Sequence, residues 1–208
     1  VKQSPKPAAF TLVELMVVLA ILGILSVAGA FAAKVGTERA NAIRCLGSMR
    51  DVGKAMQLYI GEHNGRMPDT SHSRSDDGSS LSWTKTLAAY LSGDFISRCP
   101  SSKSPSPVTY GWNDLLTDTN GVGIPVMKIS RPSTTLVLAE VAESYPSEHF
   151  HFAGARTRVT FNQFKSSVAV ETHGKGANYL FADGHAENLT PTEIRNRLNA
   201  VNSTFLKP

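Results

Sequence analysis

The chain is expected to take an α+β fold: one long N-terminal α-helix, half membrane span and half amphipathic, packed on a small antiparallel sheet head. Three observations predict it. Residues Leu12 to Ala33 are small or apolar with one ionisable side chain, Glu14, and about 20 such helical residues cross the ~30 Å hydrocarbon core of a bilayer. Ile43, Leu46, Met49 or Val52, Met56 and Tyr59 or Ile60 then recur at intervals of three or four, the stripe of a helix packed along one face. In the C-terminal half, β-prone runs alternate with turn residues.

The first element carries an anomaly. A carboxylate among apolar side chains costs at least ~2.5 kcal/mol and marks a functional pairing. The residues upstream of Glu14 offer a partner. Val1 to Ala9 is a short polar leader with Lys2, Lys6, two prolines and the small pair Ala8-Ala9. Cleavage after Ala9 would make Phe10 a new N-terminus, its amino group one helical turn from Glu14. Such a cation and anion can also pair between neighbouring subunits, which builds a filament. An ordinary secretory signal, cut after Ala30 or Ala32, and an uncleaved anchor are the other readings. Lys34 and Arg39 beyond the span balance Lys2 and Lys6 before it, so charge bias alone does not orient the helix.

Ala9-Phe10-Thr11-Leu12-Val13-Glu14-Leu15 and the apolar run behind it resemble the N-terminal motif of type IV pilins and type II secretion pseudopilins. The resemblance implies that a prepilin peptidase cuts between Ala9 and Phe10, that the new amino group of Phe10 is methylated, and that Glu14 guides assembly. It implies a pilin-like fold divided into a leader (1–9), a transmembrane and filament-core helix (10–33) and a periplasmic or extracellular head (34–208). It also implies a single pass through the inner membrane with the N-terminus cytoplasmic. The implied partners are the prepilin peptidase, other pilin-like subunits, and an inner-membrane assembly platform with its ATPase. The family usually has Gly before the cut, and Ala9 stands there.

Beyond the span about 175 residues remain, enough for one domain with a real core. The formal charge of +4 falls to +2 once Lys2 and Lys6 leave with the leader. Basic residues are scattered, with no stripe or arginine cluster to mark a nucleic-acid partner. Lys34, Arg39, Arg44, Arg50 and Lys54 lie off the apolar stripe and read as solvated or stem-packed charges. Gly36, Gly47 and Gly53 each weaken the helix by up to ~1 kcal/mol and are points where it can bend. Asn64-Gly65, a left-handed cap signal, ends it before Pro68.

Asp69 to Ser80 is a loop by composition. Its Asp76-Asp77-Gly78 is the chain's one calcium candidate, lacking the alternating oxygen-ligand spacing of a dedicated calcium loop; no other cofactor is expected. Trp83 to Leu91 reads as a short helix with Trp83, Leu87, Ala88 and Leu91 on one side. Cys45 and Cys99 are too few and too far apart in sequence for zinc. An exported head meets an oxidising compartment, where they would pair or stay as two separate thiols. A bridge would contribute ~2 to 4 kcal/mol.

Leu136 to Ala139, Val159 to Phe164 and Val168 to Glu171 read as strands. His173-Gly174-Lys175-Gly176-Ala177-Asn178-Tyr179-Leu180-Phe181-Ala182-Asp183-Gly184 resembles the His, nine residues, Asp-Gly motif of a pilin-like subgroup. Arg44-Cys45-Leu46, Tyr59, Asn64-Gly65, Pro68, Cys99-Pro100 and Tyr110-Gly111 extend that resemblance over nearly the whole chain. Read physically, the motif is a meander: a turn at His173 to Gly176, a strand to Phe181, a turn at Asp183-Gly184 and a strand from Ala186 to Leu189. His173 and Asp183 then stand at opposite ends of one strand, ~17 to 20 Å apart at ~3.3 Å per residue. The alternative is a metal or catalytic centre drawn from His149, His151, His173, Asp183 and His185, although neither HxxEH nor HExxH is present. A final helix starts at Thr190 with Pro191 and Glu193 as a capping box, and shows Ile194, Leu198 and Val201 on one face.

The function expected is a structural, non-enzymatic one: a subunit of a type II secretion pseudopilus or a type IV pilus-like filament. A minor pilin with a ligand-binding or adhesive head, and a membrane-anchored metal enzyme, are the alternatives.

Overall fold

The structure, a computed structural model, describes residues 10–70, 82–91, 93, 95, 97–118, 120–152 and 158–207. The leader 1–9, including Ala9, and the loop segment 71–81, including Asp76, Asp77 and Gly78, lie outside the described residues. The chain divides into two compact units, Val1–Ala40 and Asn41–Pro208. Helix α1, Leu12–Glu62, is 51 residues long and passes from the first into the second.

Within the first unit the apolar side chains of α1 are exposed, from Leu12 through Leu19, Ile21 and Leu25 to Phe31. By length and composition this helix can cross a membrane. Its one neutral polar side chain between Leu12 and Ala33, Ser26, donates to the Leu22 carbonyl one turn back at 2.7 Å. α1 stays helical across Gly36, Gly47 and Gly53, then ends at Asn64 (φ 54°) and Gly65 (φ 73°), a left-handed stop.

The second unit is built on a five-stranded sheet: β1 (Tyr110–Asn113), β2 (Leu136–Glu140), β3 (His149–Phe150), β4 (Ala177–Phe181) and β5 (Ala186–Leu189), in the order β3-β1-β2-β4-β5. All pairings are antiparallel except β1 with β3, which is parallel, so the sheet is mixed rather than purely antiparallel. One face meets α1 through Cys45, Met49, Val52, Met56 and Tyr59, with Trp83, Trp112, Leu138 and Leu180 in the same core. The opposite face meets α3 (Phe161–Ser167), α4 (Pro191–Asn199) and the C-terminal segment through Phe164, Tyr179, Phe181, Ile194, Leu198 and Phe205. A sheet covered on both faces buries every residue of a central strand, as β2 and β4 do.

The expected stripe of the long helix is buried at Met49, Val52, Met56 and Tyr59 and departs from expectation at its N-terminal end. Ile43 is exposed and Leu46 half-buried, while Cys45, Ser48, Met49, Val52, Gly53, Ala55, Met56 and Tyr59 form the buried face. Val159 to Phe164 is not a strand: Thr160 caps α3 through Gln163 in a reciprocal box, and the helix takes Phe161 to Ser167. Val168 to Glu171 contributes only an isolated bridge, Val141 with Val168. Helix α2 is short, Trp83–Thr86, and Ala88 is exposed. The Thr190 and Glu193 capping box starts α4, but the helix stops at Asn199 and Val201 lies exposed beyond it.

Gly53 decides how closely α1 approaches the sheet. A Cβ there would lie 2.6 Å from the Gly184 carbonyl oxygen and 2.9 Å from Leu180 Cδ1. Gly184 turns the chain between β4 and β5 at φ 90°, and Gln57 Nε2 donates to Ala182 O at 3.2 Å beside it. Gly53→Ala forces the turn away from the helix and is expected to lower stability by about 1 to 3 kcal/mol, the range for overpacking. Chemical denaturation would show it as an earlier midpoint at unchanged slope.

Candidate functional site

Glu14 sits in the first turn of α1. Its Oε2 accepts from the Thr11 backbone N–H at 2.8 Å and from Thr11 Oγ1 at 2.7 Å, while Thr11 Oγ1 accepts from the Glu14 N–H at 3.3 Å. This is a reciprocal capping box, and it satisfies donors that a helix start leaves orphaned. The sequence carries its signature in Thr11-Leu12-Val13-Glu14, the same Thr-x-x-Glu spacing as Thr190 to Glu193. Thr11 is thus a partner of Glu14 in addition to the Phe10 amine expected from the sequence. Phe10 is exposed immediately upstream. The anion at the start of α1 therefore has local partners within one chain and also faces the positive end of the helix dipole.

Cys45 of α1 and Cys99 are joined by a disulfide, Cα–Cα 5.2 Å. Both are fully buried. His173, just before β4, reaches the same place. Its Nε2 is 2.7 Å from Glu140 Oε1 and 3.5 Å from Cys99 Sγ, with the His and Glu side chains 2% and 1% exposed. Asn178 Nδ2 also approaches Glu140 Oε1, at 3.5 Å. Burial, reinforced by the Glu140 charge, raises the Tyr110 and Tyr179 hydroxyls well above the ordinary tyrosine range.

The other members of the proposed histidine centre lie in two further places. Asp114 Oδ2 is 4.0 Å from both His149 Nε2 and His151 Nδ1, and the two imidazoles stack at 5.6 Å. Asp183 belongs to the β4–β5 turn, where its Oδ1 accepts from the His185 N–H at 3.1 Å and His185 stacks on Phe181. His173 and Asp183 flank opposite ends of β4, the first against Glu140 and the second against His185. The five residues do not form one centre.

The family described as prokaryotic N-terminal methylation motif matches the chain over residues 5–30. No curated protein and no solved structure matches it. The matched segment takes in Phe10, Thr11, Glu14 and the apolar first half of α1, and it supports a type IV pilin-like protein processed at a prepilin-type motif.

Proposed function

We propose that the chain is a structural filament subunit, processed by a prepilin peptidase between Ala9 and Phe10 and assembled with other pilin-like subunits. The observation that carries this reading is the methylation motif at residues 5–30 on a helix whose apolar side chains are exposed from Leu12 to Phe31. In the membrane, lipid covers that surface. In a filament, neighbouring copies of the helix cover it, and one repeated heterologous contact generates a helical fibre.

Glu14 has a role in each state. In the separate subunit its carboxylate is held by Thr11. On assembly it also meets the N-methylated amine of Phe10 in the next subunit, so that neither charge enters the apolar bundle unpaired. The subunit would serve a secretion pseudopilus or a pilus-like filament, raised by an inner-membrane platform and its ATPase. Its head would lie on the periplasmic side.

Intact-mass measurement with N-terminal sequencing of the membrane-extracted protein tests this directly. The expected chain starts at methylated Phe10. A chain starting after Ala30 or Ala32, or one retaining the leader in cells with an active prepilin peptidase, would refute it.

A further inference from the structure

Cys45, Cys99, Glu140 and His173 come from α1, the segment before Pro100, the end of β2 and the approach to β4. One donor atom from each lies within 4.8 Å of all the others. Two thiols, an imidazole and a carboxylate are a donor set for a borderline-soft divalent cation. His173 Nε2 and Glu140 Oε1 are the atoms that face the cluster, and the second polar atom of each group is short of a partner. Glu140 Oε2 and His173 Nδ1 are buried with no hydrogen bond from any described residue, and a carboxylate buried to this extent calls for compensating positive charge.

We propose that in the dithiol form these four side chains hold one zinc-class cation in a closed tetrahedral site, with metal and disulfide as alternative occupants of the cluster. Zinc bonds of about 2.3 Å to sulfur and 2.0 Å to nitrogen or oxygen place donors about 3.3 to 3.8 Å apart. Reaching that geometry takes opening of the disulfide, lengthening of the 2.7 Å contact between Glu140 and His173 by about 0.6 Å and contraction, by about 1 Å at most, of separations that are all within 4.8 Å. All four side chains are buried, so no coordination position opens to a substrate and the site is structural.

The exchange balances with a small disulfide, R–S–S–R, as oxidant. The two cysteine thiolates give up two electrons and form the Sγ–Sγ bond, the R–S–S–R bond breaks to two thiolates, and the cation leaves with its charge unchanged. The dithiol form is the one the chain has before it meets an oxidising compartment. Two cysteines alone are too few for zinc; the fold adds the other two ligands. This inference is independent of filament assembly.

The test is a cobalt(II) titration of the full chain in detergent, reduced under anaerobic conditions, with the oxidised chain alongside. The reduced chain is expected to take up one cobalt, with thiolate-to-cobalt charge transfer and the intense visible bands of tetrahedral cobalt. The oxidised chain takes up none. Zinc bleaches the bands, and a small disulfide oxidant releases the metal. His173→Ala should weaken binding by at least ~100-fold and Glu140→Gln by at least ~10-fold, since even groups outside the ligand set are worth about 10- to 100-fold. If reduction unfolds the chain, zinc is expected to restore its near-ultraviolet circular dichroism. A folded reduced chain that takes no cobalt, cobalt bands without thiolate character, an unfolded chain that zinc does not rescue, or unchanged affinity in either variant would overturn the proposal.

Discussion

Glu14→Ala is expected to abolish filaments while the subunit remains in the membrane at normal abundance with a folded head. In the proposed filament the alanine leaves the neighbour's Phe10 amine without its counter-charge inside an apolar bundle. The expected readout is a loss of sheared filaments of roughly 100-fold or more. Because Glu14 also caps α1, the alanine variant removes two interactions at once, and two further variants separate them. Glu14→Gln keeps an acceptor at the third helical position and still serves a capping box, but it carries no charge. Thr11→Ala keeps the charge and removes the reciprocal hydroxyl, at about 1 kcal/mol. Assembly through the charge predicts that Glu14→Gln fails almost as fully as Glu14→Ala and that Thr11→Ala still forms filaments. The reverse order, measured by shearing and counting filaments, would reduce Glu14 to a cap.

Loss of the Cys45–Cys99 bridge is expected to be the largest stability change in the second unit. The two cysteines are 54 residues apart, and the chain-entropy relation assigns about 4 kcal/mol to closing a loop of that length. For a domain of this size that corresponds to a fall in melting temperature of about 10 °C. The measurement is thermal unfolding of a Cys45→Ala, Cys99→Ala double variant against the oxidised chain. A change below about 1 kcal/mol would mean that the loop is already closed in the unfolded ensemble.

The elements legible in the sequence were those whose signals are local. The start of the long helix, the Asn64-Gly65 stop, the Ala177 to Leu189 hairpin and the Thr190 capping box are each specified within a few neighbouring residues, and the structure has each of them there. Misreadings came from long-range choices. Val159 to Phe164 has the β-prone composition of a strand, yet Thr160 and Gln163 cap a helix there. β1, Tyr110–Asn113, contains a glycine and an asparagine and escaped notice, and β3 is only two residues long. The exposed Ile43 shows that an apolar periodicity fixes a helix but not which edge of its stripe faces the sheet. Cys45, Cys99, Glu140 and His173 meet only through tertiary folding, so no spacing pattern announces them. In contrast, Thr11 was recoverable from the Thr-x-x-Glu pattern.

The internal hydrogen bond of Ser26 has a consequence for how copies of α1 find their axial offset. With that hydroxyl directed to Leu22 O, the stretch from Leu12 to Ala33 offers a neighbouring helix no ionisable side chain besides Glu14. Glu14 is then the only index mark on the rod. In the filament proposed above, the pairing of that carboxylate with a neighbour's amine is then expected to fix the axial offset between copies.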